Sequence, residues 1–130
     1  MKLLGLRTVI YPAPDLAESK KWWSAVLGYD PYFDKSFYVG FLVQGYELAL
    51  RPAASAEDGP ITYWGVANVD IALRQLLEQG AKVREGATDV GGGIRVATVT
   101  EVGGSIFGVI ENPTYEHVSA PLDADDGPGR

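Results

Sequence analysis

The chain repeats one order of secondary structure, and this repeat limits the folds that are open to it. A β-rich segment leads to a helix that Asp15 caps and Gly28 ends, and three further β-rich segments follow. After the turn-rich segment 51–60, the same order returns around a second helix, which runs from Asn68 to Gly80. Repetition of a supersecondary unit of about 50 residues predicts two equivalent βαβββ modules.

The first helix carries two adjacent tryptophans that cannot share one face. Adjacent residues lie about 100° apart around a helix, so only one of the two can point towards the sheet. Trp23 falls on the same apolar stripe as Leu16 and Leu27 and is predicted to be core. Trp22 is either flanking core or part of a dimer surface, where tryptophan is enriched.

Composition excludes several functional classes. A chain of 130 residues with 46% hydrophobic and 22% charged residues is typical of one soluble globular domain. The absence of cysteine excludes disulfides and thiolate metal sites and suits a reducing cytoplasm, where we expect the protein. The net charge of −6 and the lack of a basic stripe argue against binding nucleic acid.

Arg7, Pro12 and Pro14 interrupt the apolar start, so neither a leader nor a membrane segment is expected. Segment 114–130 is expected to be disordered towards its end.

Two stretches carry a resemblance to a known family: PDLAESKKWWSAVLG in the first module, and GAKVREGATDVGGGIRVATVTEVGGSIFGVIENP in the second. In order and spacing they are similar to the vicinal oxygen chelate superfamily, which includes glyoxalase I, the bleomycin resistance proteins and the extradiol dioxygenases. The resemblance covers roughly residues 4 to 113. It implies an α+β domain at 1–113, in which modules 4–52 and 60–113 curl mixed sheets around a cavity with the helices outside. It also implies a homodimer.

The resemblance further implies where metal ligands would stand. Metal-dependent members direct two histidines and two carboxylates into the cavity from four strands. By motif spacing, those positions fall on Thr8, Glu47, Ile61 and Gly108, so only Glu47 matches. The single histidine, His117, follows the last strand. A transition metal needs three or four N, S or O ligands close together, so no such metal and no cofactor is expected. A hard-ion site built from carboxylates is left open, although no sequence feature places three of them together.

Alternation of side chains along each strand predicts which residues line the cavity. An inward Glu47 brings Arg51 to the same face, and an inward Ile61 brings Tyr63 with it. Each residue also has a purely structural interpretation: Glu47 and Arg51 form a surface ion pair, and Tyr63 is part of the core. For segments 37–43 and 94–100, alternation does not establish which side chains face the cavity. The candidate ligand-binding residues are Thr8, Tyr38, Arg51, Ile61, Tyr63, Arg95 and Gly108.

These observations favour a small-molecule-binding protein that holds a hydrophobic or aromatic compound in a metal-free cavity. A metal-independent isomerase or lyase with Glu47 as its general base is the alternative. A third and weaker hypothesis is that the chain is a degenerate member of the superfamily that serves as a protein-interaction partner. The glycine-rich segment 90–93 does not lead from a strand into a helix, so we interpret it as a loop or lid at the cavity mouth rather than a phosphate loop.

Overall fold

A computed structural model describes residues 1–114, and these form two helices and eight strands. The first module contains β1 (Leu6–Ala13), α1 (Leu16–Leu27), β2 (Phe33–Lys35), β3 (Tyr38–Val43) and β4 (Tyr46–Pro52). The second contains β5 (Ile61–Gly65), α2 (Val69–Glu78), β6 (Lys82–Asp89), β7 (Arg95–Thr100) and β8 (Ile106–Glu111). The expected disorder of the tail and the position of His117 lie outside the described residues.

The eight strands form one mixed sheet in the order β2-β3-β4-β1-β5-β8-β7-β6, and it does not close into a barrel. Strand β1 runs parallel to β4, and β5 runs parallel to β8, so each module has the same internal topology. The antiparallel pair β1–β5 joins the two modules at the centre of the sheet. The predicted α+β fold of two βαβββ modules is therefore confirmed.

Capping residues begin and end the first helix as the sequence predicts. The Asp15 side chain accepts a hydrogen bond from the Glu18 N–H at 3.1 Å, and Asn68 caps α2 in the same way. Gly28 ends α1 with a φ of 87°, a conformation that glycine adopts without a steric penalty. No helix within residues 1–114 is long and apolar enough to span a bilayer.

The helices cover one face of the sheet and leave the other face for a cavity. Val39, Phe41 and Leu50 are buried beneath α1, and Ala97 and Val109 are buried beneath α2. Residues of opposite parity form a separate cluster on the other face: Ile10, Ala49, Ile61 and Tyr63, with Tyr38, Val96, Ile106 and Ile110 packed against them. Alternation thus divides each strand between a helix-covered core and the cavity wall.

The two tryptophans of α1 separate as predicted. Trp23 packs into the cluster beneath the helix and stacks on Tyr11 with ring centroids 5.4 Å apart. Trp22 meets the edge of Trp23 and is 59% exposed. The homodimer to which Trp22 was assigned stays a prediction.

The register of the four central strands places Glu47, Thr8, Tyr63 and Gly108 side by side in one row, which we call the central row. Thr8 pairs with Glu47 on one side and with Tyr63 on the other, and Tyr63 pairs with Gly108. Ile61, which the resemblance placed in this row, instead pairs with Ile10 two residues along β5. The row therefore contains one carboxylate, two hydroxyls and a glycine.

The Tyr63 ring occupies the space that a side chain at position 108 would need. A Cβ atom at Gly108 would lie 2.5 Å from the Cδ2 and Cε2 atoms of Tyr63 and 3.1 Å from the Ala97 carbonyl oxygen. Tyr63 is only 2% exposed, so its ring has little room to move away. The glycine in this strand is thus required by the close approach of the ring.

We expect Gly108→Ala to lower the free energy of unfolding by about 1–3 kcal/mol, because the added methyl group overpacks against Tyr63. Gly86→Ala is the matched control, since a Cβ atom there meets nothing within 4 Å. The control should be neutral or stabilising by up to about 1 kcal/mol. Urea denaturation of both variants measures the difference. Equal stability of the two variants would contradict this packing.

Candidate functional site

A cavity of about 570 Å³ lies on the face of the sheet that the helices leave uncovered, within the size range of small-molecule sites. Its walls are mainly aromatic and aliphatic, and its acidic lining consists of a single carboxylate. The loop between β6 and β7 contributes Val90 and Ile94, so the glycine-rich segment does border the cavity. The lining residues are Thr8, Ile10, Tyr32, Phe33, Phe37, Tyr38, Glu47, Arg51, Tyr63, Val90, Ile94, Val96, Ile110 and Asn112.

Glu47 accepts hydrogen bonds from three hydroxyl groups, and we call these four residues the Glu47 cluster. Its Oε1 atom accepts from the Thr8 hydroxyl at 2.8 Å and from the Tyr38 hydroxyl at 2.7 Å. Its Oε2 atom accepts from the Tyr32 hydroxyl at 2.6 Å. Hydrogen bonds to a carboxylate contribute about 1.5–3 kcal/mol each, so the cluster fixes the orientation of the Glu47 side chain.

A glycine on the neighbouring strand lets this cluster form. A Cβ atom at Gly40 would lie 2.6 Å from the Glu47 Oε2 atom and 3.0 Å from the Tyr32 Cε1 atom. The carboxylate and the ring of Tyr32 therefore rest against bare backbone. Neither Gly40 nor Tyr32 was predicted from the sequence, although a glycine inside a strand is a recognised sign of close approach.

The two phenols of the cluster remain protonated well above neutral pH. Burial, followed by the charge of Glu47, raises the pKa of Tyr38, and burial with the hydrogen bond to Glu47 raises the pKa of Tyr32. Both hydroxyls therefore act as donors under physiological conditions. The cluster is one carboxylate with a fixed set of donors rather than a set of groups that share protons.

Arg51 lies on the same cavity wall but does not pair with Glu47. None of the three ion pairs between described residues involves Arg51, because the Glu47 oxygens face the three hydroxyls. The Arg51 guanidinium instead lies near Tyr63: burial raises the pKa of the Tyr63 phenol, and the positive charge of Arg51 partly offsets that rise. The surface ion pair of Glu47 with Arg51 that the sequence left open is therefore not formed.

The structure brings most of the candidate residues together and places three of them elsewhere. Tyr38 faces the cavity and joins the Glu47 cluster. Arg95 does not face it, because it shares the parity of Ala97 and Val99, and its Nη1 atom donates to Asp70 of α2 at 2.6 Å. Ile61 belongs to the buried cluster on the cavity face of the sheet but does not line the cavity, and Gly108 lies beneath the Tyr63 ring.

The central row does not fit a divalent transition metal. It offers one carboxylate, whose oxygens already accept from three hydroxyls, and the Tyr63 ring fills the place of a ligand at position 108. Across residues 1–114, no group of three or more His, Asp or Glu side chains converges on a common point. The donor set is therefore too poor in nitrogen and carboxylate ligands for such an ion.

Comparisons with known proteins agree with this architecture. The sequence profile of the Glyoxalase/Bleomycin resistance protein/Dioxygenase superfamily matches residues 5–109. No curated protein sequence matches the chain significantly.

Several solved structures share the fold. Methylmalonyl-CoA epimerase from Mycobacterium tuberculosis is 20% identical with a TM-score of 0.68, over 85% of this chain and 89% of that one. A methylmalonyl-CoA epimerase in complex with methylmalonyl-CoA and NH4+ is 14% identical with a TM-score of 0.68, over 90% of this chain and 100% of that one. A superfamily member from Vibrio splendidus 12B01 is 15% identical with a TM-score of 0.65, over 82% and 99% of the two chains. At these identities the likeness shows the fold alone.

We expect the cluster to make stability fall at alkaline pH. Above the ordinary tyrosine pKa of 10.0 the unfolded chain loses a proton that folded Tyr38 keeps, so the free energy of unfolding decreases as pH rises. The decrease is at most about 1.4 kcal/mol per pH unit for each such phenol. Tyr38→Phe should show a shallower decrease, with Glu47→Gln between it and the wild type. Denaturation at several pH values measures the slopes, and parallel curves for wild type and Tyr38→Phe would contradict the assignment.

Proposed function

The chain belongs to the Glyoxalase/Bleomycin resistance protein/Dioxygenase superfamily, and we propose that it binds an aromatic or apolar small molecule in its cavity without a metal ion. The observation that carries this proposal is the state of Glu47. The one carboxylate that lines the main cavity already accepts hydrogen bonds from three protein hydroxyls. It therefore supports the wall of the cavity and presents no vacant set of metal ligands.

The chemistry of the wall supports an aromatic or apolar ligand. Phe33 meets Tyr38 and Phe37 edge to face, with ring centroids 6.0 Å and 6.2 Å apart, and this aromatic group forms one side of the cavity. Ile10 and Ile110 face the cavity from β1 and β8. Burial of apolar ligand surface against such walls contributes about 25 cal/mol per Å² before the cost of association.

A metal-independent isomerase or lyase is the second candidate, and one contact favours it. The Glu47 Oε2 atom accepts from Tyr32 alone, and Tyr32 is 57% exposed at the cavity mouth. A movement of this side chain would free Oε2 to accept a proton from carbon next to a carbonyl group. In that case Glu47 is a general base, and Thr8 and Tyr38 hold its other oxygen.

We expect the neutral dye N-phenylnaphthylamine to bind in the cavity with increased fluorescence, because its rings leave water for an apolar wall. Val96→Phe places a larger side chain in the cavity and should weaken binding at least about tenfold by steric exclusion. Val102→Phe is the matched control, since Val102 is 80% exposed and does not line the cavity. Fluorescence titration measures both affinities. Absence of dye binding to the wild type, or equal affinity in both variants, would contradict the proposed function.

Glu47→Gln distinguishes the two candidates. A base-catalysed reaction on a screened carbonyl compound would lose about 10²–10⁴ in rate, because the amide cannot accept the proton. Dye affinity in the same variant should change far less, since the shape of the side chain is kept. Turnover that survives the substitution would exclude Glu47 as a base.

A further inference from the structure

A second space lies next to the main cavity and is lined mainly by residues of β6 and β7. This space, which we call the extension, has a volume of about 280 Å³. Arg51, Val90 and Val96 border both spaces, so a ligand in the main cavity lies next to the extension. The remaining lining residues of the extension are Glu85, Gly86, Thr88, Ala97 and Thr98.

Thr98 borders the extension and has a buried hydroxyl without a hydrogen-bond partner among the described residues. Thr98 is 1% exposed, and its Oγ1 atom has no hydrogen-bond partner among the described residues. Thr8, in the first module, differs because its strand neighbour Glu47 accepts from it. Thr98 has two strand neighbours: Gly108, which has no side chain to offer, and Glu85, whose carboxylate does not accept a hydrogen bond from the Thr98 hydroxyl. A buried hydroxyl without a partner is unfavourable, and a ligand oxygen that reached it would satisfy it.

Arg51 supplies the charge at the boundary of the two spaces. A guanidinium only donates hydrogen bonds, and its planar set of donors matches the two oxygens of a carboxylate. Arg51 takes part in none of the ion pairs between described residues. Glu85 also borders the extension, but it is exposed on β6, where water and salt screen its charge. The donors of Arg51 and Thr98 thus point to an acceptor oxygen on the ligand.

We propose that the ligand of this protein carries a carboxylate, which Arg51 and Thr98 bind in the extension while its apolar body fills the main cavity. This assignment rests on the proposed function, because it requires that the cavity hold a small molecule. It narrows the ligand class to amphipathic carboxylic acids with an aromatic or aliphatic body. The Glu47 cluster borders the main cavity but not the extension, and three hydroxyl donors bind the Glu47 carboxylate.

Isothermal titration with hydrocinnamate and its neutral amide, hydrocinnamamide, tests the assignment. We expect wild-type protein to bind the carboxylate at least about tenfold more tightly than the amide, and Arg51→Gln to abolish this preference. Thr98→Val should weaken carboxylate binding severalfold while it raises the melting temperature, because it removes the unpartnered hydroxyl. Lost affinity in a more stable protein cannot be ascribed to unfolding.

Thr62→Val is the matched control, because Thr62 accepts a hydrogen bond from Trp64 and lines neither space. It should leave the affinity for both probes unchanged. Equal affinity of wild type for carboxylate and amide, or a preference that survives Arg51→Gln, overturns the assignment and leaves the proposed function in place. Failure of both probes together with failure of the neutral dye overturns both.

Discussion

The hydrogen bonds between Glu47 and its three hydroxyl donors are the interaction on which the site depends. They connect β1, β3 and β4 with Tyr32 in the segment before β2, so one carboxylate fixes the wall of a whole module. Their cost is a bare backbone at Gly40, where a side chain would collide with the carboxylate. The shape of the cavity wall around Glu47 therefore depends on a carboxylate whose hydrogen bonds come from the protein itself.

In the second module, an aromatic ring occupies the space that Glu47 occupies in the first. In the central row, Gly108 takes the position that matches Glu47, and Tyr63 leans into the vacated space. The two modules therefore share a topology but differ in chemistry: Glu47 of the first accepts hydrogen bonds from three hydroxyls, whereas Thr98 of the second has a hydroxyl without a partner.

Periodicity and capping were sufficient to predict the order of helices and strands, because both act locally: Asp15 and Gly28 mark the ends of α1 wherever the helix packs. The arrangement of the strands around a cavity was predicted from the family resemblance. Alternation likewise predicted that Glu47 and Arg51 share a face. Contacts that depend on pairing between strands distant in sequence could not be predicted from it. The pairing of Thr8 with Tyr63 rather than Ile61 follows from the register of β1 against β5, which no local pattern records.

Metal content tests the central claim most directly, namely that the Glu47 cluster and the Tyr63 ring leave no transition-metal site in the cavity. Elemental mass spectrometry on the full chain, purified without chelators and then dialysed, should find no stoichiometric Zn, Ni, Mn or Fe. One ion per chain that resists dialysis in the wild type and is lost in Glu47→Gln would contradict the account, because it would show that the carboxylate is a ligand.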